Sequence, residues 1–127
     1  MEEVKKQGME SLFCPYEQAL ALKQLGFNAE CFAYYDKDIK SFELFKYFDY
    51  NTLECISAPL YRQAFSFFRE KYKLYATLPR SVRSETFAYV IATESDGWFR
   101  QQDGFKTYEE AELECIKTLI EIVNKKS

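Results

Sequence analysis

Residues 86–93 read TFAYVIAT and residues 107–124 read TYEEAELECIKTLIEIVN, and these two stretches decide the fold. The first is a run of β-branched and aromatic residues, which favours a strand. Thr107 and Glu110 match a capping box at the start of the second stretch, and they predict a helix over 108–124. The face of this helix that is expected to be buried carries Tyr108, Ala111, Cys115, Leu119 and Ile122, flanked by Ile116 and Val123.

Two earlier stretches have the same helical spacing. Pro15 suits a first helical turn and Gly26 suits a left-handed end, so the sequence predicts a helix over 15–25. Another helix is predicted over 59–72, with its cap at residue 57 or 58. Its apolar positions fall on one face, namely Tyr61, Ala64, Phe65, Phe68 and Tyr72.

The remaining β-favouring runs are short and are joined by polar turns. Residues 49–57 fit either a loop or a short turn of helix. The order is α-β-β-α-β-β-β-α, and the short connections predict antiparallel pairing. The fold class is therefore α+β: a mostly antiparallel sheet of about five strands, with three amphipathic helices packed mainly on one face. Besides 86–93, strands are predicted over Cys31–Tyr35, Ser41–Phe48, Leu74–Leu78 and Trp98–Gln102.

Length and composition limit the class of protein. The 127 residues predict a single domain over 1–127, with residues 1–13 as a loosely ordered lead-in. The net charge of −3 disfavours duplex nucleic acid, which requires clustered Lys and Arg. No apolar run reaches the length of a membrane span, and the N-terminus carries no secretion signal. The four cysteines are expected to be reduced, mostly buried thiols of a cytoplasmic protein.

The absence of histidine removes much of the usual catalytic and metal chemistry. It excludes Ser-His-Asp and Cys-His nucleophilic sites and the zinc sites that use imidazole. The cysteines, at 14, 31, 55 and 115, form no closely spaced pair, and the four isolated glycines form no phosphate-binding loop. The sequence therefore assigns no catalytic, cofactor-binding or metal-binding residue, and we expect no cofactor.

Two groups of residues are candidates for binding a partner. Trp98 with Arg80, Arg83 and Arg100 would form an aromatic platform beside cations, as in proteins that bind single strands. The alternative is a solvated loop with a half-buried Trp98. The aromatic run from Phe42 to Tyr50 would be an interface if one of its faces were uncovered. The alternative for this run is the core of the sheet.

The three helical segments also carry a resemblance when they are taken together. They read PYEQAL at 15–20 with LGF at 25–27, APLYRQAF at 58–65 with FREKY at 68–72, and TYEEAELEC at 107–115 with LIEIV at 119–123. In this order they resemble a family of small uncharacterised proteins from phages and mobile elements of gut Bacteroidetes. The resemblance covers most of the chain. It implies a phage or prophage accessory protein acting in the bacterial cytoplasm, and it carries over no catalytic or binding residue.

Three functions are weighed on these grounds. The leading hypothesis is a non-enzymatic protein-interaction module that contacts a host or phage protein, or a second copy of the chain as a homodimer. One alternative is a single-stranded nucleic-acid binder that uses Trp98 and the arginines. The other is a small enzyme with carboxylate chemistry, which needs two carboxylates of raised pKa in one pocket.

Overall fold

A computed structural model describes residues 9–48, 55–94 and 99–126. Contacts divide the chain into two compact units, Met1–Ala64 and Phe65–Ser127. The single domain that the chain length predicts stays a prediction. Among the described residues, no helix is both long enough and apolar enough to cross a bilayer.

The first unit is an antiparallel sheet with a helix against it, and its elements are α1 (Tyr16–Gln24), β1 (Cys31–Asp36), β2 (Phe42–Phe48) and β3 (Cys55–Ala58). Strand β1 lies between β2 and β3, and α1 contacts β3. Tyr35 stands opposite Phe42 on one side and opposite Ile56 on the other, so the three share one face. That face forms a core that comprises Phe13, Ala19, Ala33, Tyr35, Phe42, Ile56 and Ala58.

Two of the sequence-based expectations for this unit concern its aromatic residues. Phe42 is buried, and its ring centroid lies 5.2 Å from that of Phe13 and 5.6 Å from that of Tyr35. At Phe42 the core interpretation of the aromatic run is therefore the one that the structure shows; residues 49 and 50 lie outside the described residues. Phe13 comes from the stretch expected to be a lead-in, yet it is buried and forms an antiparallel bridge with Leu60.

The second unit is built around strand β6 (Thr86–Thr93). Its other elements are α2 (Tyr61–Tyr72), whose first turn belongs to the first unit, β4 (Leu74–Thr77), β5 (Arg80–Ser81), β7 (Phe99–Phe105) and α3 (Tyr108–Lys126). One edge of β6 pairs with β4 and β5, and the other edge pairs with β7; helix α3 contacts β6 and β7. Buried positions on α3 include Ala111, Cys115 and Leu119, as the helical spacing predicts.

Strands β4 and β5 follow a single register along β6. Thr77 stands opposite Val90 and Arg80 stands opposite Phe87, so an advance of three residues on the edge strand matches three residues back along β6. The interruption between them contains Pro79, whose carbonyl oxygen accepts the Ala88 N–H at 2.9 Å. Proline has no N–H, so the reciprocal bond of that pair is absent. The two assigned strands are thus one edge strand with a missing ladder bond.

The α+β class, the antiparallel pairing and the order of the helices and the five expected strands are confirmed. The arrangement of strands differs: the described strands form two sheets, where the sequence predicts one sheet of about five strands. The first sheet is separate because the second edge of β1 pairs with β3. Strand β3 has four residues, three of them buried, which is too short to show an alternating pattern.

The helix starts agree in part with the sequence. Residues 57 and 58, the expected cap of α2, belong to β3 instead. The backbone N–H of Leu60 donates to Gln63 Oε1 at 2.9 Å, so a glutamine inside the helix caps its start. For α3, the N–H of Glu110 donates to Thr107 Oγ1 at 3.1 Å, which confirms Thr107 as the acceptor of the capping box.

Lys73, which joins α2 to β4, has a left-handed backbone with φ of 57°. This conformation costs a non-glycine residue about 1–2 kcal/mol, and glycine recovers part of that while losing more entropy on folding. We expect Lys73→Gly to raise the free energy of unfolding by about 0.5–1 kcal/mol, measured by urea denaturation. Lys117→Gly, inside α3, is the matched control and should lower it by about 1 kcal/mol. Equal losses for both variants would contradict the assigned backbone conformation.

Candidate interaction surface

An arginine and two aromatic rings are stacked at one end of the second unit. The guanidinium carbon of Arg80 lies 5.7 Å from the centroid of the Phe87 ring. The Phe87 ring in turn meets the Tyr108 ring edge to face, with centroids 5.9 Å apart and planes at 82°. Because Arg80 and Phe87 are directly opposite in the β5–β6 ladder, their side chains emerge on the same face of the sheet.

The turn between β5 and β6 extends this stack into solvent. Val82 is 83% exposed and Tyr108 is 41% exposed, and both belong to the large apolar side chains that face water. Arg80 and Arg83 are also exposed, whereas Phe87 is half-buried. We call Arg80, Val82, Arg83, Phe87 and Tyr108 the ring-and-arginine surface.

Short hydrogen bonds shape the turn. The N–H of Ser84 donates to Ser81 Oγ at 3.3 Å, and the hydroxyl oxygens of Ser84 and Thr86 are 2.7 Å apart. Glu85 has a left-handed backbone with φ of 56°, which returns the chain to β6. The turn therefore has a defined conformation that holds Val82 and Arg83 outward.

Carboxylates border the surface on the side of α3. Glu109 and Glu110 are exposed in the first turn of the helix, and Glu112 is half-buried one turn further on. Burial, helped by the charge of Glu109, raises the pKa of Glu112 to about 7. Burial followed by the charges of Glu112 and Glu109 also raises the pKa of the Tyr108 phenol.

Cys115 lies beneath these carboxylates and is fully buried. Burial, with a further contribution from Glu112, raises the pKa of its thiol to about 12. The side chain is therefore a neutral thiol at physiological pH, and it fills the core as a small apolar group. In the described part of the chain, no group of three or more Cys, Asp or Glu side chains is placed to hold a metal ion.

The structure brings together only part of the group that the sequence singles out. Arg80 and Arg83 belong to the ring-and-arginine surface, whereas Arg100 on β7 forms an ion pair of 3.7 Å with Glu121. Glu121 is thirteen residues beyond Tyr108 on α3, which corresponds to about 20 Å along the helix axis. Arg100 is accordingly remote from Arg80. Trp98 lies outside the described residues.

The expected burial of Tyr108 is wrong, since the residue is 41% exposed. It is the first residue of α3, and helical side chains lean toward the N-terminus. Its ring consequently leans toward the start of the helix, where it lies nearly perpendicular to the Phe87 ring and stays partly exposed.

Comparison of the chain with protein-family models, with curated proteins and with solved structures finds no match. Function is therefore inferred from the ring-and-arginine surface itself.

Proposed function

We propose that the protein is a non-enzymatic protein-interaction module that binds a partner protein through the ring-and-arginine surface. The observation that carries this proposal is the exposed stack of Arg80, Phe87 and Tyr108 beside the exposed Val82. Arginine and tyrosine are enriched among the residues that dominate binding energy at protein interfaces. Rings that are already packed against each other lose little conformational entropy when a partner binds.

The resemblance to proteins of phages and mobile elements suggests the setting. The module would be a phage or prophage accessory protein in the bacterial cytoplasm, and its partner a host or phage protein. A bacterial lysate from the gut Bacteroidetes is therefore the first material in which to search for that partner.

A single-stranded nucleic acid is the second candidate ligand. Bases would stack on the exposed ring of Tyr108 while Arg80 contacted a phosphate, which is the chemistry that single-strand binders use. However, Glu109 and Glu110 are exposed beside Tyr108, and they would repel the phosphates of a strand that crossed the surface. This charge pattern favours a protein partner.

A photo-crosslinking residue at Val82 tests the proposal. The purified protein is irradiated in Bacteroidetes lysate that is divided into nuclease-treated and untreated halves. We expect one discrete protein to be cross-linked from position 82 in both halves. A photo-crosslinking residue at Glu70, whose side chain is 75% exposed on α2, is the control and should give no such product. A product that nuclease treatment abolishes would favour the nucleic-acid candidate.

Substitutions at the surface give a quantitative form of the same test. Loss of a central interface residue typically costs about 2 kcal/mol or more, which is about 30-fold in affinity. We expect Tyr108→Ala to weaken binding of the cross-linked partner by at least about tenfold in titration calorimetry. Ile39→Ala is the matched control, since Ile39 is 74% exposed in the β1–β2 turn. Equal effects of the two substitutions would place the partner elsewhere.

A further inference from the structure

The two arginines of the ring-and-arginine surface are available to an anion. Arg80 and Arg83 are both exposed, and no hydrogen bond or ion pair joins either side chain to another residue in the described part of the chain. The guanidinium carbon of Arg80 lies 5.7 Å from the centroid of the Phe87 ring. A guanidinium has five N–H donors, and a contact with one ring leaves donors available to an anion.

The stack also holds Arg80 in a defined position. Phe87 is fixed by its place opposite Arg80 in the ladder and by the edge-to-face contact with Tyr108. A guanidinium that is restrained in this way loses less side-chain entropy on binding than a free surface arginine. Carboxylates accept two parallel hydrogen bonds from such a group, and these charge-assisted bonds are among the strongest that proteins form.

An apolar side chain lies between the two arginines in sequence. Val82, which is 83% exposed, is flanked by Ser81 and Arg83, and Arg80 precedes them. The surface thus offers cation, apolar group and cation within four residues. We propose that the partner segment bound here is an acidic peptide segment, whose carboxylates pair with Arg80 and Arg83 and whose apolar side chain contacts Val82. This inference rests on the proposed function.

The spacing of charge distinguishes such a segment from a nucleic-acid strand. A peptide can place carboxylates opposite Arg80 and Arg83 and neutral residues opposite Glu109. A nucleic-acid strand carries a phosphate at every nucleotide, so it would also place charge against the glutamates. Two arginines with glutamates beside them therefore complement a peptide whose acidic residues are localised.

Fluorescence anisotropy with three labelled probes tests this inference on the full chain. The probes are a peptide of repeated Glu-Glu-Leu, a counterpart with glutamine in place of every glutamate, and a single-stranded DNA of mixed sequence. We expect only the glutamate peptide to bind, with Arg80→Ala and Arg83→Ala each weakening it at least about tenfold. Arg80→Lys should recover only part of the affinity, since it keeps the charge and loses the planar donors. Arg100→Ala, with the same change of charge, should bind as the parent does.

Several results would overturn the inference. These are no binding of the glutamate peptide, equal binding of the glutamine peptide, tighter binding of the DNA, or an equal loss in Arg100→Ala. If the cross-linked partner still requires Tyr108 while the glutamate peptide fails to bind, the acidic-segment inference is wrong and the interaction module stands. If capture of the partner is indifferent to Tyr108 and Arg80, the proposed function itself is wrong.

Discussion

Replacement of Tyr89 by alanine is expected to lower the free energy of unfolding by about 3–5 kcal/mol, the range for removal of a large buried aromatic side chain. Tyr89 is on β6, only 1% of its surface is exposed, and its ring stacks on Phe105 with centroids 5.9 Å apart. Alanine would leave a cavity at this position in the second unit. Urea denaturation followed by circular dichroism measures the loss.

Removal of only the hydroxyl group of Tyr89 separates the contribution of ring packing to stability from that of hydrogen bonding. It lies 2.7 Å from Thr118 Oγ1, and Thr118 donates to the carbonyl oxygen of Glu114 at 2.9 Å. Tyr89→Phe keeps the ring and removes one partner of the buried Thr118, so we expect a loss of about 1–2 kcal/mol. Tyr75→Phe is the control because the Tyr75 hydroxyl bonds Glu94 in an exposed place. Equal losses for the alanine and phenylalanine variants at position 89 would contradict the importance of ring packing.

Glu112→Gln is expected to stabilise the protein above pH 7. The pKa of Glu112 is raised from its ordinary 4.5 to about 7, so the folded state favours the protonated form. Below pH 4.5 the carboxyl is protonated in both states and costs nothing. As the pH rises from 4.5 to 7, the unfolded state ionises first, and the parent loses stability that glutamine retains. Because water partly screens this half-buried group, we expect a gain of about 1–2 kcal/mol at pH 8.

Urea denaturation of parent and variant between pH 4 and pH 8 measures this difference. The two proteins should be equally stable near pH 4 and diverge as the pH rises. Glu121→Gln is the matched control with the opposite sign, because the hydrogen bond and charge of Lys125, together with Arg100, lower the pKa of Glu121. That variant should be less stable than the parent above pH 5. A constant difference between parent and Glu112→Gln at every pH would show that ionisation is not the cause.

The helices and strands show which features of this fold local sequence patterns predict. Helix α3 begins at Tyr108 as expected and ends two residues beyond the predicted residue 124. It is predictable because a capping residue and a long apolar repeat are both local features of the sequence. Strand β5 has two residues and was not predicted, since its pairing depends on the register across a turn. The division into two sheets depends on the pairing of β1 with β3, which a local pattern does not specify.

The residues of the candidate site are likewise predicted from the sequence only in part. The sequence indicates Arg80 and Arg83 because both lie in a polar loop, where arginine side chains are expected to be exposed. Their ring partners were missed: Phe87 requires the ladder register, and Tyr108 requires the placement of α3 against β6. Arg100 was grouped with Arg80 although β7 places it beside Glu121, about 20 Å further along α3.

The missing ladder bond at Pro79 has a consequence for how the surface meets a partner. Since Ala88 receives no donor from residue 79, the Arg80–Ser81 segment is held to β6 beyond a gap in the ladder, whereas Leu74–Thr77 is held without one. Local opening begins where backbone bonds are fewest. The Arg80–Ser81 segment is therefore expected to open more readily than Leu74–Thr77. A partner that holds the turn in its folded conformation would slow this opening, and Pro79 marks where the easily opened part of the edge strand ends.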